Sequence, residues 1–286
     1  MLYGRVYAGA LAYADDLMLL SPSVSALRKM VNICQNYAQE YDIKFNGSKS
    51  QLIIFKCDGK QVINPLIEVN GNPVEVVNKI CHLGHMLSDD IFNVDVSKTS
   101  GDFNRQCNML LSNFKYANSH LRNILFQKYC YSFYGSQLYP LFDNSFDPLF
   151  RHWRVAVRRV WKVPWQTHSI YLPYLAGVMC PELWFEKRCL NFIFKVMTST
   201  NNMITHIAGM GRNGAHSILG GNLRYLDSKY SLDCKKIVSR WLMMEPMNVV
   251  IKVNQIKEMI QMRDRRGDSF LNAKECGDII NFLCLE

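Results

Sequence analysis

Long apolar runs are missing from this chain. No stretch approaches the twenty or so apolar residues that a helix needs to cross a bilayer, and the N-terminus lacks the basic-then-apolar pattern of a secretory signal. A soluble, intracellular protein of nucleus or cytoplasm, with no membrane partner, is therefore expected. A cysteine framework is missing too. The ten cysteines are scattered without a CxxC pair, which argues against a disulfide scaffold or a zinc ribbon and fits reduced, mostly buried thiols. There is no low-complexity tract, no Cys/His zinc knuckle and no endonuclease motif. Gly209-Met210-Gly211-Arg212-Asn213-Gly214 satisfies GxGxxG, but no strand precedes it and no clear helix comes after it, so no small-molecule cofactor is expected. What is present is a chain of 286 residues, 49% of them hydrophobic, enough for a sizeable core in two or three packed units.

Acidic residues are scarce where basic ones gather. Residues 1–103 carry 9 Lys/Arg against 11 Asp/Glu, residues 104–199 carry 12 against 4, and residues 200–286 carry 12 against 9. The excess therefore sits in the middle of the chain. There, Arg151-His152-Trp153-Arg154 and Arg158-Arg159-Val160-Trp161-Lys162 interleave cations with aromatic rings, a pattern suited to phosphate contacts beside stacking surfaces. The competing reading is a solvated basic helix face that keeps the protein soluble.

The densest chemistry lies near the start. In Leu11-Ala12-Tyr13-Ala14-Asp15-Asp16-Leu17-Met18-Leu19-Leu20, two adjacent carboxylates interrupt two apolar runs. Burying bare carboxylates costs several kcal/mol, so a tight turn that brings them to the surface, or a cation that neutralises them, must be part of the design. A hairpin of residues 5–13 and 17–20, buried against a core with Asp15 and Asp16 at the tip facing a cleft, meets both conditions. Hard Mg²⁺ ions bind such carboxylates together with substrate phosphates. Next, Ser21 or Ser23 can cap a helix of roughly five turns, with Val24, Leu27, Val31, Cys34, Ala38 and Tyr41 as its apolar stripe. A loop from Asp42 to Ser50 leads into a strand from Gln51 to Phe55. Residues 66–69 and 73–77 then flank Asn70-Gly71-Asn72, a hairpin signal. Cys81, His82 and His85 hint at a metal site, but His82 and His85 on one strand would point to opposite faces, so zinc is not expected there.

Tyr13-Ala14-Asp15-Asp16 resembles motif C of reverse transcriptases, and the resemblance continues in order. Asn46 and Lys49, three apart in the loop before a strand, resemble motif D of the non-LTR (LINE-like) retrotransposon enzymes. Ile80-Cys81-His82-Leu83-Gly84-His85-Met86-Leu87 resembles motif E, the primer grip, with His82 where an aromatic is usual. The resemblance implies an α+β fold: a partial polymerase palm over residues 1–92, an antiparallel sheet with a packed helix, then a basic helical thumb over 93–165 and a helical region over 166–286. It implies Asp15 and Asp16 as Mg²⁺ ligands, Tyr13 beside primer or template, Lys49 and Asn46 near the incoming triphosphate, and Leu83 and Gly84 in the grip. It implies an RNA template and a DNA primer as partners.

From Asp95 to Tyr139 helical spacing takes over, with Met109, Leu110, Phe114, Leu121, Leu125, Phe133 and Leu138 as candidate core and Gly101 and Ser119 as breaks. Arg105, Lys115, Arg122 and Lys128 are candidate phosphate contacts. Arg151, Arg154, Arg158, Arg159 and Lys162 on the helix 149–162 join them. Pro140 to Pro148 reads as a linker. Pro164-Trp165-Gln166-Thr167-His168 is similar to a Pro-x-x-Thr-His segment located after the family's thumb. An apolar helix from Pro181 to about Thr198 comes next, and residues 228–262 and 268–286 read as weakly amphipathic helices. The aspartate of motif A, the fingers and motif B have no counterpart here. A single turn cannot serve both faces of two ions, so the expected two-metal site is incomplete and the chain alone is expected not to polymerise DNA. The alternatives are a nucleic-acid-binding remnant without catalysis, or a retroelement relic with no function.

Overall fold

The computed structural model describes residues 2–3, 6–55, 65–90, 96–213 and 217–230, so the readings made on 231–262 and 268–286 lie outside it. The chain divides into two units, Met1–Asp95 and Val96–Glu286, and mixes strand and helix as an α+β chain does. None of the described helices is long and apolar enough to cross a membrane.

The first unit is a set of short ladders around one helix. Strand β1 (Leu2–Tyr3) pairs with β2 (Val6–Tyr7), and β3 (Ala10–Tyr13) pairs with β4 (Asp16–Leu19), both antiparallel. The one strand expected over residues 5–13 is thus split at Ala8 and Gly9, where the Gly9 carbonyl accepts Leu20 N–H at 2.7 Å. Helix α1 (Val24–Glu40) comes next, and Ser23 rather than Ser21 caps it: Ser23 Oγ accepts from Ala26 N at 3.2 Å, while Ser21 Oγ donates to the Ser23 carbonyl. Val31 and Ala38 of its expected stripe are buried, whereas Val24 and Tyr41 at the ends are exposed.

Among the described residues six short strands follow: β5 (Gln51–Ile53), β6 (Glu68–Val69), β7 (Asn72–Pro73), β8 (Glu75–Val77), β9 (Lys79–His82) and β10 (His85–Ser88). Asn70 and Gly71 both have positive φ, 52° and 73°, the geometry of a primed two-residue turn that asparagine and glycine tolerate best. Asn72 therefore belongs to the second strand, opposite Val69. The antiparallel sheet expected of a palm does not appear among the described residues. Their strands form five separate two-stranded ladders, and one of them, β5 with β8, is parallel. A parallel pair needs a long crossover, and the chain from 54 to 74 supplies it.

The described residues of the second unit are helical: α2 (Ser97–Asn113), α3 (Ser119–Tyr129), α4 (Asp147–Trp161), α5 (Leu172–Ala176), α6 (Pro181–Met197), α7 (Asn202–Asn213) and α8 (Ile218–Tyr230). The break at Ser119 is real, and Asn118 caps α3 by accepting from Leu121 N at 2.8 Å. Gly101 breaks nothing and lies inside α2. The inward face of α2 is Phe103, Cys107 and Leu110, a spacing of four and three. Of the expected core, Leu110 and Phe133 are buried; Met109 falls off that face, Phe114 comes just past the end of α2, and both, with Leu121 and Leu138, are exposed. Gly209 and Gly211 lie within α7, so residues 209–213 of that sequence are helical, while Gly214 lies outside the described residues.

Residues 140–148 are packed rather than a linker. Pro140 and Phe146 are buried, and the Phe146 ring stacks on Tyr139 and meets Phe185 edge-on. Asn222 of α8 ties this segment down: its Oδ1 accepts Leu141 N–H at 2.7 Å, and its Nδ2 donates to the Tyr139 carbonyl at 2.8 Å and to Cys189 Sγ at 3.2 Å. α4 packs on both α5 and α6, so residues on either side of 165 share one core. Because Asn222 is buried with its amide satisfied on both ends, Asn222→Ala strands a backbone N–H and a carbonyl. The expected loss is about 2–4 kcal/mol, measured as a lowered urea midpoint for the helical unit.

Candidate functional site

The β3–β4 register decides what the acidic turn presents. Tyr13 pairs with Asp16 and Leu11 with Met18, so these four share one face, while Ala10, Ala12, Leu17 and Leu19 share the other. Leu17 and Leu19 line a cleft of about 160 Å³ with Leu27, Val31 and Cys34 of α1. The Tyr13–Asp16 face therefore looks away from the helix. β3 is exposed along its whole length and only Met18 and Leu19 of β4 are half-buried, so the expectation of a hairpin buried against a core fails. The physical reason is that β3 and β4 pair only with each other among the described strands. The cleft lies on the opposite face, and neither Asp15 nor Asp16 lines it.

The turn itself is strained. Ala14 has φ 51°, the left-handed region that alanine enters at a cost of about 1 kcal/mol. The strain lifts both carboxylates to an exposed tip, and among the described residues neither makes an ion pair or a side-chain hydrogen bond. Adjacent, exposed, unengaged carboxylates are a donor set that fits one or two ligand positions of Mg²⁺.

The other expected site residues of this unit fall in two turns. Asn46 Oδ1 accepts from Lys49 N at 3.3 Å and from Ser48 Oγ at 2.7 Å, capping a short 3₁₀ turn, Gly47–Lys49. The three-residue spacing of asparagine and lysine is therefore that of a cap and the N–H it caps, with the Lys49 side chain exposed. Asn70 Nδ2 donates to the Phe45 carbonyl at 3.0 Å and fixes the loop against the neighbouring hairpin. Leu83 and Gly84 form a second primed turn, φ 48° and 79°, between β9 and β10. That turn makes His82 and His85 cross-strand partners, so they share a face instead of pointing oppositely as a single strand would have them.

In the helical unit the candidate cations divide. Arg122 is buried, and its guanidinium donates to the Phe114 carbonyl at 3.0 Å and to the Lys115 carbonyl, closing the end of α2; it offers nothing to a phosphate. Arg154 is half-buried and paired with Glu182 at 3.0 Å, and Arg158 donates twice to the Thr167 carbonyl, at 2.7 and 3.2 Å. Arg105 is exposed beside Asp102, and Lys115 and Lys128 are exposed. Arg151 and Arg159 are exposed with Val155 along one stripe of α4, Lys162 is exposed just past its end, and Arg159 donates to Asn108 of α2 at 2.8 Å. The expected stacking rings within α4 are not available, since Trp153 is fully buried and Trp161 half-buried. Exposed rings lie elsewhere in the described residues and were not among the candidates, among them two just beyond helix ends: Tyr116, with Lys115 Nζ 5.6 Å from its centroid, and Trp165, 80% exposed. Their position after a helix terminus is the sequence signal that could have found them.

Comparison of the chain with protein-family models, with curated proteins and with solved structures finds no match.

Ala14→Gly removes the cost of the left-handed turn and is expected to stabilise the first unit by about 0.5–1 kcal/mol, read as a raised denaturation midpoint. Burial, and then the charge on His82, hold His85 below the ordinary histidine range. Stability therefore falls as pH drops from the ordinary histidine value towards that of folded His85, because the unfolded chain takes up the proton first. Proton NMR titration should find His85 low, and His82→Asn should move it part of the way back.

Proposed function

We propose that this chain is part of an RNA-directed DNA polymerase, the reverse transcriptase of a non-LTR retrotransposon, with the turn from Tyr13 to Asp16 as the metal-binding turn of its palm. The observation that carries the reading is the strained hairpin tip, which holds two adjacent exposed carboxylates while the opposite face of the same hairpin packs towards α1. In this reading Asp15 and Asp16 hold Mg²⁺, Tyr13 rests beside primer or template, Lys49 approaches the triphosphate, and the Leu83–Gly84 turn grips the primer strand. Bound Mg²⁺ would supply charge neutralisation at the attacking and leaving oxygens of phosphoryl transfer. Asn46 acts by shaping the loop that carries Lys49. A two-metal site needs carboxylates from a second strand as well, so this chain by itself is not expected to extend a primer.

A second reading, nucleic-acid binding without catalysis, is favoured by Arg151 and Arg159 along α4 and Lys162 just past its end, all of them exposed. Arg122, Arg154 and Arg158 drop out of that footprint because backbone carbonyls and Glu182 occupy them.

Two measurements on the full chain test these readings. Primer extension on an RNA template should give no product from the chain alone. A polypeptide carrying the complementary palm strand should restore it, and Asp15→Asn should then reduce it by at least about a hundredfold. Extension by the chain alone would overturn the inactivity, and a reconstituted activity indifferent to Asp15→Asn would overturn the polymerase site. In fluorescence anisotropy with an RNA–DNA hybrid, binding should weaken steeply with salt. Replacing Arg151, Arg159 and Lys162 by serine should reduce the slope of that dependence by about 3, while Asp15→Asn leaves it alone. Absence of binding at low salt removes the nucleic-acid reading.

A further inference from the structure

Helix α1 carries two apolar stripes, and the first unit uses one of them. Leu27, Val31 and Cys34 line the cleft beneath β4. A second stripe, Met30, Ile33, Tyr37 and Tyr41, runs at spacings of three and four about a quarter of a turn further round. Ile33 is 67% exposed, Tyr37 55% and Tyr41 57%. The two tyrosine rings stack on each other with centroids 4.4 Å apart and planes at 30°. Each ring thus restrains the other, and the pair already stands in a fixed pose. Ordered tyrosines beside an aliphatic side chain are the composition of a protein interface, and they lose little entropy when covered.

The charges beside this stripe identify what covers it. Lys29, in the second turn of the helix, and Glu40, its last residue, are both exposed. They are eleven residues apart, close to three whole turns, so they border the same edge of the stripe. When two helices lie antiparallel about a two-fold axis, like edges face each other. Two copies of α1 in that arrangement, with the axis near residue 35, set Lys29 of each against the partner's Glu40 and Ile33 of each against the partner's Tyr37. The pattern is self-complementary in charge and in shape only in the antiparallel sense. In a parallel pair about a two-fold axis unlike edges face each other, so Lys29 and Glu40 would lie on opposite sides of the seam and neither would meet its complement.

We propose that this face is a homodimer interface, α1 docked antiparallel on α1 of a second copy of the chain. One helix pair buries a small area by the standard of obligate dimers, so the association is a weak one, with a Kd on the order of micromolar. It rests on α1 alone and does not depend on the polymerase reading.

Sedimentation equilibrium of the full chain across about 1–100 µM tests it, since that range brackets the expected Kd. Two ion pairs form per dimer, and Lys29→Glu turns both into repulsions, which should raise Kd by roughly tenfold. Lys29→Glu combined with Glu40→Lys restores both pairs with reversed sign and should return Kd to within about threefold of the original. Ile33→Asp should leave a monomer with an unchanged circular dichroism spectrum. A wild-type chain that stays monomeric across the range overturns the proposal. So does a dimer whose Kd ignores Lys29→Glu, or one that the double variant fails to restore.

Discussion

Successive side chains on a strand must point to opposite faces, and a two-residue turn locks the two strands of a hairpin into one register. In β3–β4 that constraint separates anchoring from presentation. With Tyr13 opposite Asp16, Leu17 and Leu19 necessarily turn towards α1, and Tyr13, Asp16, Leu11 and Met18 necessarily turn away. A slip of one residue would exchange the faces and put a carboxylate in the apolar cleft. The register therefore has an energetic guard beyond its own hydrogen bonds, since a carboxylate buried without a partner costs several kcal/mol. The left-handed Ala14 is what a turn this short requires of its first residue, and the register it preserves offsets that strain.

An isolated two-stranded ladder is marginal in water, and every ladder in the first unit is of that kind among the described residues. Side-chain contacts between segments hold them instead. Arg28 of α1 donates twice to the Leu66 carbonyl, at 3.0 and 3.3 Å, and Gln35 accepts Asn70 N–H at 2.7 Å. Gly47 lets the Lys49 turn approach β6, because a side chain there would come within 3.1 Å of the Val69 carbonyl. One helix thus supplies the hydrophobic floor and several of the polar ties, which is why the unit's order depends on α1 more than on any strand.

Local chemistry was legible in the sequence and the partnership between segments was not. The Asn-Gly turn, a serine cap ahead of α1, the Tyr13–Asp16 hairpin and the limits of α6 all depend on residues within a few positions of one another. The parallel pairing of β5 with β8 depends on a crossover of about twenty residues, and no short window contains it. The same limit explains the core of α2. Periodicity fixes a spacing of three or four but not its origin, so Met109 and Leu110 looked equivalent until α3 and α4 chose Phe103, Cys107 and Leu110 as the inward face. His82 and His85 were misjudged for want of one decision, whether Leu83-Gly84 continues a strand or reverses it.

Net charge overstates what the helical unit can offer a polyanion, and the discrepancy has a chemical cause. Guanidinium groups fork, and a fork suits carbonyl oxygens left without partners where helices end. Arg122 closes the end of α2 in this way, Arg158 binds the Thr167 carbonyl, and Arg188 binds those of Ser132 and Phe133. Each of these arginines is counted as surface charge by composition and yet serves as backbone glue. The candidate lysines, whose single ammonium makes no such fork, are exposed throughout. The usable field is consequently narrower than the composition suggests. Of the candidate cations among the described residues, it keeps Arg105, Lys115 and Lys128 beside Arg151, Arg159 and Lys162 at α4, because no carbonyl fork has withdrawn these from the surface.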